Sequence, residues 1–549
     1  MRVSKKLKLP VKRLAFLTPI LFLSISLSNG VAYALSGPYP ASEVLGQSDF
    51  ISNTRTAGTD GLDGPWGSTA LDSVHHRLFV SDTGNQRVLV YDLSNTNDII
   101  SSSASYELGQ TDFYSTSSGY NANQMNNPTG LAYDATNNRL FVENGEEVDV
   151  FDLASGISDG MNASYELGQP SGFGNDNCST TQNSVCDMFG GLAFDPVHER
   201  LFVNDTDNYR VLVFNVTPSS ITSGENADYV LGQQTFFTDN DSASQNSFYD
   251  NEYGGLAFDS VRQRLFVADT YGSRVLVFDL SNGITSGMNA SSVLGQSSWS
   301  STSYGTTQNT FEYPTGLGYD PVSNTLFVDD GQDNCRIMIF NLSAGLSSDM
   351  NASGVLGATD FTSTDCGLSQ SQFSDSYSDD IAVDGTNGRL FLPSYGGSRV
   401  LIYDFVHITT TSLPEASDGG SYSQGLATSG YQGTLTYSIT GGSLPPGLSL
   451  NAATGVISGT ATTAGSYTFE ISVSDNNGTL GTYTEDPSYT ITVNPVTTTT
   501  SSPAVSSHAP DTGYGKPVTY TAVYALFSAS FISIIVGTTA LFIKKKQIK

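Results

Sequence analysis

Two adjacent carboxylates, Asp379 and Asp380, stand where corresponding segments of the chain carry glycine. These glycines are Gly130, Gly191, Gly255 and Gly316. Carboxylate oxygens are the ligands that hard cations such as calcium prefer in proteins. The pair therefore predicts a calcium site at the mouth of a central channel, with two solvated side chains as the alternative interpretation. The sequence indicates no other cofactor.

Few residues of this sequence are placed to form a catalytic site. Metal-dependent lyases and hydrolases need histidines and carboxylates, or a general base, that converge on one site. His75, His76 and His198 fall in predicted turns, His407 follows the repeats and His508 lies near the C-terminal end. No three of them are placed to converge, and Ser or Cys nucleophiles lack a histidine partner. The sequence favours a non-enzymatic protein, with an extracellular lyase or hydrolase as the alternative.

The charge of the chain excludes nucleic acid as a partner. The 549 residues carry 23 Lys and Arg against 53 Asp and Glu, a formal net charge of −30, and every lysine lies near one of the two ends. A nucleic-acid surface needs clustered basic residues that neutralise phosphates. Low charge density with abundant Gly, Ser, Thr, Tyr and Phe favours an all-β extracellular chain.

The two ends predict export and anchoring. Residues 1–34 combine a basic segment, an apolar stretch and a small-x-small site, which is typical of a cleaved secretory signal peptide; an uncleaved anchor is the alternative. Residues 518–543 form an uncharged run long enough to cross a bilayer as a helix, and the basic cytoplasmic tail 544–549 follows. The Thr/Ser/Pro-rich residues 495–517 predict an extended stalk. We therefore expect the intervening chain at the cell surface, attached to the membrane through the helix.

The stalk contains a motif that resembles a cell-wall sorting signal. Ala509-Pro510-Asp511-Thr512-Gly513 resembles the Leu-Pro-x-Thr-Gly signal of sortase-anchored surface proteins, with Ala509 in place of leucine. The resemblance implies a sortase as partner, which would cut between Thr512 and Gly513 and join Thr512 to the cell wall. A simple transmembrane anchor is the alternative.

A repeat organises most of the chain. The leucine of an Arg-Leu-Phe-Val-like tetrad recurs every 61 to 64 residues, at Leu78, Leu140, Leu201, Leu265, Leu326 and Leu390. One unit, residues 255–296, contains four short apolar runs, which predicts a four-stranded antiparallel sheet. Six such sheets around an axis predict a six-bladed β-propeller over residues 42–406. The run 44–47 precedes the first complete unit, so we expect this strand to complete the sixth sheet.

These units resemble the NHL repeat. The similarity lies in the Val-Leu-Gly-Gln and Gly-Leu-Ala phrases and in an Asp-x-x-Asn-x-Arg turn, seen from Asp82 to Arg87 and from Asp205 to Arg210. Because the turn Asp and Arg recur in nearly every unit, we expect them to pair and hold the hairpin. The second unit departs from the pattern, with residues 143–147 reading Glu-Asn-Gly-Glu-Glu and no arginine.

The four cysteines predict two disulfides, which are the default in an exported region. Cys178 and Cys186 share one predicted inter-blade loop. Cys335 opens a third strand and Cys366 lies in the next inter-blade loop, and in a propeller both elements emerge on one face. Among three possible connectivities we therefore choose Cys178–Cys186 and Cys335–Cys366.

Residues 407–494 carry a different alternating pattern. The phrases Leu-Pro-Pro-Gly-Leu from Leu444 and Gly-Val-Ile-Ser-Gly-Thr from Gly455 resemble those of bacterial and archaeal immunoglobulin-like or cadherin-like surface modules. That resemblance implies a spacer or adhesive unit. Alternation and size independently predict a β-sandwich.

The predicted fold class is all-β: a six-bladed β-propeller, an immunoglobulin-like β-sandwich and one C-terminal transmembrane helix. Long loops on a rigid ring are where binding usually resides. We predict ligand contact by the irregular loop aromatics Tyr114, Tyr120, Phe237, Tyr249 and Tyr304. The leading hypothesis is a surface-displayed binding or adhesion protein that recognises a protein or glycan; a passive cell-envelope component is the further alternative.

Overall fold

The computed structural model describes residues 39–496, apart from 175–177, 187–188, 250–252, 332, 375–377, 432, 477–481 and 486, and gives only the backbone of 482–485. Helical structure in these residues is limited to three single 3-10 turns, at Thr83–Asn85, Thr206–Asn208 and Tyr395–Gly397. No described helix is long and apolar enough to cross a membrane. The predicted signal peptide, the sorting motif, the helix 518–543 and the tail lie outside the described residues.

Six four-stranded antiparallel sheets form the first part of the fold. Sheet one contains β2 (Thr69–Asp72), β3 (Arg77–Asp82), β4 (Arg87–Asp92) and β5 (Tyr106–Leu108), and sheet two contains β6 (Pro128–Asp134), β7 (Arg139–Asn144), β8 (Glu147–Asp152) and β9 (Tyr165–Leu167). Sheet three contains β10 (Leu192–Asp195), β11 (Arg200–Asp205), β12 (Arg210–Asn215) and β13 (Tyr229–Leu231), and sheet four contains β14 (Leu256–Asp259), β15 (Arg264–Asp269), β16 (Arg274–Asp279) and β17 (Ser292–Leu294). Sheet five contains β18 (Leu317–Asp320), β19 (Thr325–Asp330), β20 (Arg336–Asn341) and β21 (Gly354–Leu356). Sheet six contains β22 (Ala382–Asp384), β23 (Arg389–Ser394), β24 (Arg399–Asp404) and β1 (Glu43–Leu45).

The six sheets form a closed, propeller-like ring. The first strand of each sheet contacts the first strand of the next, and the cycle closes between β22 and β2. Strand β1 pairs antiparallel with β24, with Leu45 opposite Val400. The N-terminal strand thus completes the sheet that the last repeat begins, and no edge of sheet six is left exposed at this point.

The core of the ring lies between neighbouring sheets. In β16 the five residues Arg274 to Phe278 are all buried, because the sheet is covered on both faces. Between sheets three and four, Val211 and Val213 belong to the same apolar cluster as Val267 and Leu276. A strand that is covered on both faces has a continuous apolar sequence rather than an alternating one.

The second part of the fold is a smaller arrangement of sheets. One sheet runs in the order β26 (Ala416–Ser417), β34 (Ser488–Asn494), β32 (Gly465–Asn476) and β29 (Thr434–Gly442), with β33 (Thr482–Glu485) also on β32. A second has the order β27 (Ser421–Gly425), β31 (Val456–Thr460) and β30 (Leu448–Leu450), and β25 (His407–Ile408) pairs with β28 (Thr428–Ser429). Ile457, from the second sheet, and Phe469, Ile471 and Ile491, from the first, are buried in one apolar cluster.

Candidate functional site

The axis of the ring is closed by a carboxylate. Both oxygens of Asp380 accept hydrogen bonds: Oδ2 from the Leu192 N–H at 3.0 Å and Ser68 Oγ at 3.1 Å, and Oδ1 from the Leu256 N–H at 2.9 Å. These donors come from sheets one, three and four. Asp380 therefore ties together first strands that lie far apart in sequence.

The recurring glycines leave room for this segment. A Cβ atom on Gly191 would lie 2.4 Å from Asp380 Oδ1, and one on Gly255 would lie 1.8 Å from the Asp379 carbonyl oxygen. Separations this short are not tolerated between real atoms. Gly191 and Gly255 are thus required by Asp379 and Asp380, whereas the Cβ position of Gly130 is taken by Glu143 of its own sheet.

Burial dominates the electrostatics of the channel. Burial raises the pKa of Asp380 to about 7, against the opposing effect of the Leu256 and Leu192 N–H donors. Burial and the charge of Glu143 raise the pKa of Asp379 well above its ordinary value. Glu143, from sheet two, is buried as well, and its Oε1 accepts the Gly190 N–H at 3.2 Å. The channel carboxyls are therefore protonated more readily than exposed carboxyls.

The structure gives Asp380 hydrogen-bond partners within the protein on both oxygens. No three His, Cys, Asp or Glu side chains of the described residues are already grouped around one metal position. The calcium site at Asp379 and Asp380 therefore remains a prediction, and the observed contacts of Asp380 are structural. Beyond Asp380 the channel continues as a cavity of about 210 Å³, lined by first-strand residues such as Ala132 and Ala257.

An aromatic cluster lies at the mouth of this channel. Trp66 stacks on Phe189 and on Tyr253, each at 5.7 Å between ring centroids, and contacts Tyr395 at 5.2 Å. Phe189 and Tyr253 are 5.9 Å apart. All four side chains are half-buried. The guanidinium of Arg55 lies 5.0 Å over the Tyr395 ring and extends the cluster with a cation.

The hydrogen bonds of Asp380 bring these aromatic residues together. Trp66 precedes Ser68 by two residues, and Phe189 precedes Leu192 by three. Tyr253 likewise precedes Leu256 by three, so three of the four rings stand just before a strand that Asp380 gathers. We call Trp66, Phe189, Tyr253 and Tyr395 the aromatic cluster. It lies on the loop face, defined as the face formed by the connections between sheets and by the turns between second and third strands.

The aromatic cluster was not among the predicted contact residues. Its sequence signal is an aromatic directly before the glycine that opens a first strand, as in Trp66-Gly67, Phe189-Gly190 and Tyr253-Gly254. The predicted residues lie on three different loops of the same face. Tyr114, Phe237, Tyr304 and Tyr249 are 79%, 69%, 66% and 39% exposed. Tyr120 is half-buried, and its hydroxyl accepts a 2.5 Å hydrogen bond from Asn126 Nδ2. Their contact with ligand stays a prediction.

The repeat arginines are structural. Five of the sheets bury an arginine at the start of the third strand, namely Arg87, Arg210, Arg274, Arg336 and Arg399. Arg274 Nε donates to Asp269 Oδ2 at 2.6 Å, Nη1 to the Trp299 carbonyl, and Nη2 to the Ser247 carbonyl at 3.0 Å. Trp299, an aromatic residue that follows a repeat glutamine, thus contributes its carbonyl oxygen here. We call these positions the arginine sites.

The remaining predicted chemistry falls at two other places. Disulfides join Cys178 to Cys186 and Cys335 to Cys366, the pairing chosen from the sequence. His75 Nδ1 lies 3.0 Å from Asp72 Oδ2 and His198 Nδ1 lies 2.7 Å from Asp195 Oδ2. Both pairs are at turns between first and second strands, on the face opposite the loops. The structure therefore does not bring these histidines to the channel mouth.

Known proteins match the two parts of the chain unequally. Residues 405–494 match the family described as "Putative Ig domain", so this part is immunoglobulin-like. No curated protein matches the chain.

Solved structures that this chain matches include an auxiliary nutrient binding protein from Bacteroides ovatus, 10% identical, covering 68% of this chain and 76% of that one with a TM-score of 0.40. An auxiliary nutrient binding protein from Bacteroides thetaiotaomicron is 9% identical over 68% and 76%, with a TM-score of 0.39. The β-propeller domain of Cps50 from Myceliophteria thermophila is 10% identical over 66% and 99%, with a TM-score of 0.35. At these identities and scores the similarity carries no argument about function.

Proposed function

We propose that the protein is a surface-displayed binding or adhesion protein that recognises a protein or glycan ligand on the loop face of a six-bladed, NHL-type β-propeller. The aromatic cluster at the channel mouth carries this proposal. Stacked Trp and Tyr rings offer a large, rigid contact area whose polar edges also form hydrogen bonds, and few rotatable bonds are frozen on binding. The predicted loop aromatics would form a wider rim around it.

The cellular setting of the proposal follows from the ends of the chain. Two disulfides support an oxidising, extracellular compartment. A signal peptide would export the chain, the immunoglobulin-like module and stalk would act as spacers, and the helix 518–543 or a sortase reaction at Thr512 would attach it. The ligand-binding ring would then project from the cell surface.

A binding role accounts for the chemistry of the ring better than an enzymatic one. Metal-dependent lyase and hydrolase sites need ligands or a base at the substrate. His75 and His198 are engaged with Asp72 and Asp195 on the face opposite the loops. Asp380 directs both oxygens at N–H and O–H donors of the ring. We therefore propose that the channel mouth binds without turnover.

A glycan array and a panel of cell-surface proteins, probed with the full chain, test this function. We expect Trp66→Ala and Tyr395→Ala to weaken binding about tenfold or more, since buried aromatic contacts dominate most interfaces. Val197→Ser is the matched control, because Val197 is exposed at a turn on the opposite face.

Two further outcomes are informative. Loss of binding in Tyr114→Ala or Tyr304→Ala, with Trp66→Ala unchanged, would move recognition from the aromatic cluster to the outer loops. No binding to any probe would contradict the proposed function and favour a passive envelope component.

A further inference from the structure

Sheet two lacks the arginine that the other five sheets bury at the start of the third strand. Asn144 pairs with Glu147 at the turn of sheet two, in the register where Asp205 pairs with Arg210 in sheet three. The strand pairing thus places Glu147 at an arginine site. Replacement of a buried guanidinium by a carboxylate reverses the charge at this point of the fold.

A side-chain hydrogen bond confirms that the two positions are equivalent. Gln169 Nε2 donates to the carbonyl of Glu146 at 2.6 Å, and Gln233 Nε2 donates to the carbonyl of Tyr209 at 3.0 Å. Each acceptor is the residue directly before the third strand. The start of the third strand is therefore held in the same way in sheet two, although its turn is two residues shorter and its charge is reversed.

Two more carboxylates face the same point. Asp149 lies directly opposite Glu166 in the pairing of β8 with β9. In sheet one, Glu107 holds the strand position of Glu166, and its Oε2 accepts a hydrogen bond from Arg87 Nη1 at 3.2 Å. A carboxylate at this strand position therefore reaches the centre of an arginine site.

The carboxylates of sheet two are buried without counter-charge. Glu147, Asp149 and Glu166 are each fully buried. Within the part of the chain that the structure describes, Glu147 Oε2 and Asp149 Oδ1 have no hydrogen-bond partner, and Glu166 lies near the backbone N–H of Gln169. Burial, and then the neighbouring carboxylates, raise the pKa of Glu147 and of Asp149. Unpaired buried charge is among the most costly arrangements in a protein, so these groups require either protons or a cation.

We propose that a calcium ion takes the place of the arginine in sheet two, bound by Glu147, Asp149 and Glu166. We call these three residues with Asn144 the acidic site. Calcium accepts six to eight oxygen ligands from carboxylates, amides and backbone carbonyls. Carbonyls of the connections between sheets, which in other sheets accept from a guanidinium as those of Trp299 and Ser247 do, are the remaining oxygen ligands.

The side chains must close slightly around the ion. They are not already grouped at one metal position in the described residues. Asn144 Nδ2 holds two of them, at 3.2 Å from Glu147 Oε1 and 2.9 Å from Asp149 Oδ2, and also reaches the Gln124 carbonyl at 3.4 Å. Asn144 Oδ1 accepts the Asn126 N–H at 2.5 Å, so the amide keeps this orientation and holds Glu147 and Asp149 side by side. Glu166 would swing in toward them from the neighbouring strand.

Calorimetric titration of the chelator-treated full chain with Ca²⁺ tests the site. We expect one ion per chain with a dissociation constant of about 10⁻³ M or below, in the range of extracellular calcium modules or tighter. Thermal unfolding of the ring should move to higher temperature with Ca²⁺ and return with chelator. Asp149→Leu should weaken binding at least tenfold, because leucine occupies this position in sheet three as Leu212.

Two control variants locate the ion. Glu107→Gln changes the matched carboxylate of sheet one, which faces Arg87, and should leave Ca²⁺ binding unchanged. Asp379→Asn alters the channel and should also leave it unchanged. Asp149→Leu removes a buried charge, so it should fold at least as stably as the parent in chelator, which separates lost binding from lost folding. Absence of both binding heat and a thermal shift in 5 mM Ca²⁺ would show that protons alone neutralise the site. Binding lost in Asp379→Asn but kept in Asp149→Leu would place the ion in the channel; either result overturns the proposal.

Discussion

Sheet two and sheet four share one arrangement of strands and carry opposite charge at one buried point. In sheet four, Arg274 occupies the start of the third strand and donates to a carboxylate and two carbonyls. In sheet two the same place holds Glu147, with Asp149 and Glu166 beside it. The comparison shows that a glutamine side chain holds the start of the third strand in both sheets, whereas the charge buried beside it differs.

The difference also shows which sheets neutralise their buried charges with residues of the protein itself. An arginine site brings its own cation, so its acceptors are satisfied by residues that fold with the sheet. The acidic site depends on something from solution, either protons or an ion. Sheet two is therefore the sheet whose stability should respond most strongly to the medium, whereas the arginine sites should be indifferent to calcium.

The largest expected effect comes from removing an arginine site. Arg274→Ala leaves the buried Asp269 carboxylate without its guanidinium, and the Ser247 and Trp299 carbonyls without a donor. Such losses cost about 3 to 5 kcal/mol. Urea unfolding followed by fluorescence reports on the ring, because the only two tryptophans, Trp66 and Trp299, both lie in it.

An exposed arginine supplies the control for this variant. Arg262 is 35% exposed and its Nη1 lies 3.6 Å from Asp259 Oδ2. Its Nη1 also donates to the Tyr319 hydroxyl at 3.0 Å. Asp259 keeps two hydrogen bonds from Arg264 without it, so Arg262→Ala should cost only about 1 kcal/mol. Equal losses of unfolding free energy in Arg262→Ala and Arg274→Ala would show that the buried arginine site contributes no more to stability than the partly exposed arginine.

The second prediction uses pH to test the buried carboxyl that ties the channel together. The pKa of Asp380 is raised to about 7 in the folded protein, against about 3.9 in an unfolded chain. Folding thus favours its protonated form, and this contribution is fully present below about pH 4 and lost as the pH rises through about 7. Glu143 and Asp379 are shifted in the same direction by burial.

In chelator, Asp380 alone should therefore lower the free energy of unfolding between pH 5 and pH 7 by up to about 3 kcal/mol, at roughly 1.4 kcal/mol for each pH unit. Asp82 and Asp330 of the arginine sites, whose pKa burial raises to about 6, should add to this fall. Asp98, whose pKa is lowered to about 2, loses its contribution only at much lower pH and does not mask the trend. Asp380→Asn should flatten the profile and lie lower throughout, because its amide would face a backbone N–H. A rise in stability over this range would contradict the assignment.

Much of the ring could be predicted from sequence because it is formed by local interactions that recur in each repeat. Four apolar runs separated by turns indicate a four-stranded sheet wherever they occur, and the unmatched run at 44–47 indicates the closing pair that β1 makes with β24. The buried Asp–Arg pairs follow from recurrence at a fixed spacing. The anchor and signal segments lie outside the described residues and stay predictions.

The candidate site could be predicted only in part, because it is assembled across sheets. The substitution of Asp380 for a repeat glycine pointed to the channel, but its hydrogen bonds to Leu192 and Leu256 depend on how first strands meet around an axis. The aromatic cluster is non-local for the same reason, since Trp66 and Tyr395 are separated by most of the ring in sequence. The exposed loop aromatics were more visible in sequence than the half-buried rings they surround.

The third prediction exchanges one residue between an arginine site and the acidic site. Asp149→Leu should raise the free energy of unfolding in chelator at pH 8 by about 1 to 3 kcal/mol, the usual cost of a buried polar group without partners. The reciprocal variant Leu212→Asp places a carboxylate in a fully buried position of sheet three and should be destabilising. With saturating Ca²⁺ the advantage of Asp149→Leu should shrink or reverse. Destabilisation by Asp149→Leu in chelator would mean that the acidic site is satisfied without an ion.

The smallest expected effect concerns the disulfides, each of which braces an arginine site. The Cys186 N–H donates to Asp205 Oδ1 at 2.9 Å, beside Arg210, and Cys335 directly precedes Arg336. The bridges close sequence separations of 8 and 31 residues. Loop-closure entropy favours the longer one by about 1 kcal/mol, so replacing Cys335 and Cys366 by alanine should cost that much more than replacing Cys178 and Cys186. Urea unfolding of the two double variants measures the difference. The reverse order would mean that support of the Asp205 carboxylate outweighs chain entropy, and hence that the arginine sites depend on their loops as much as on their strands.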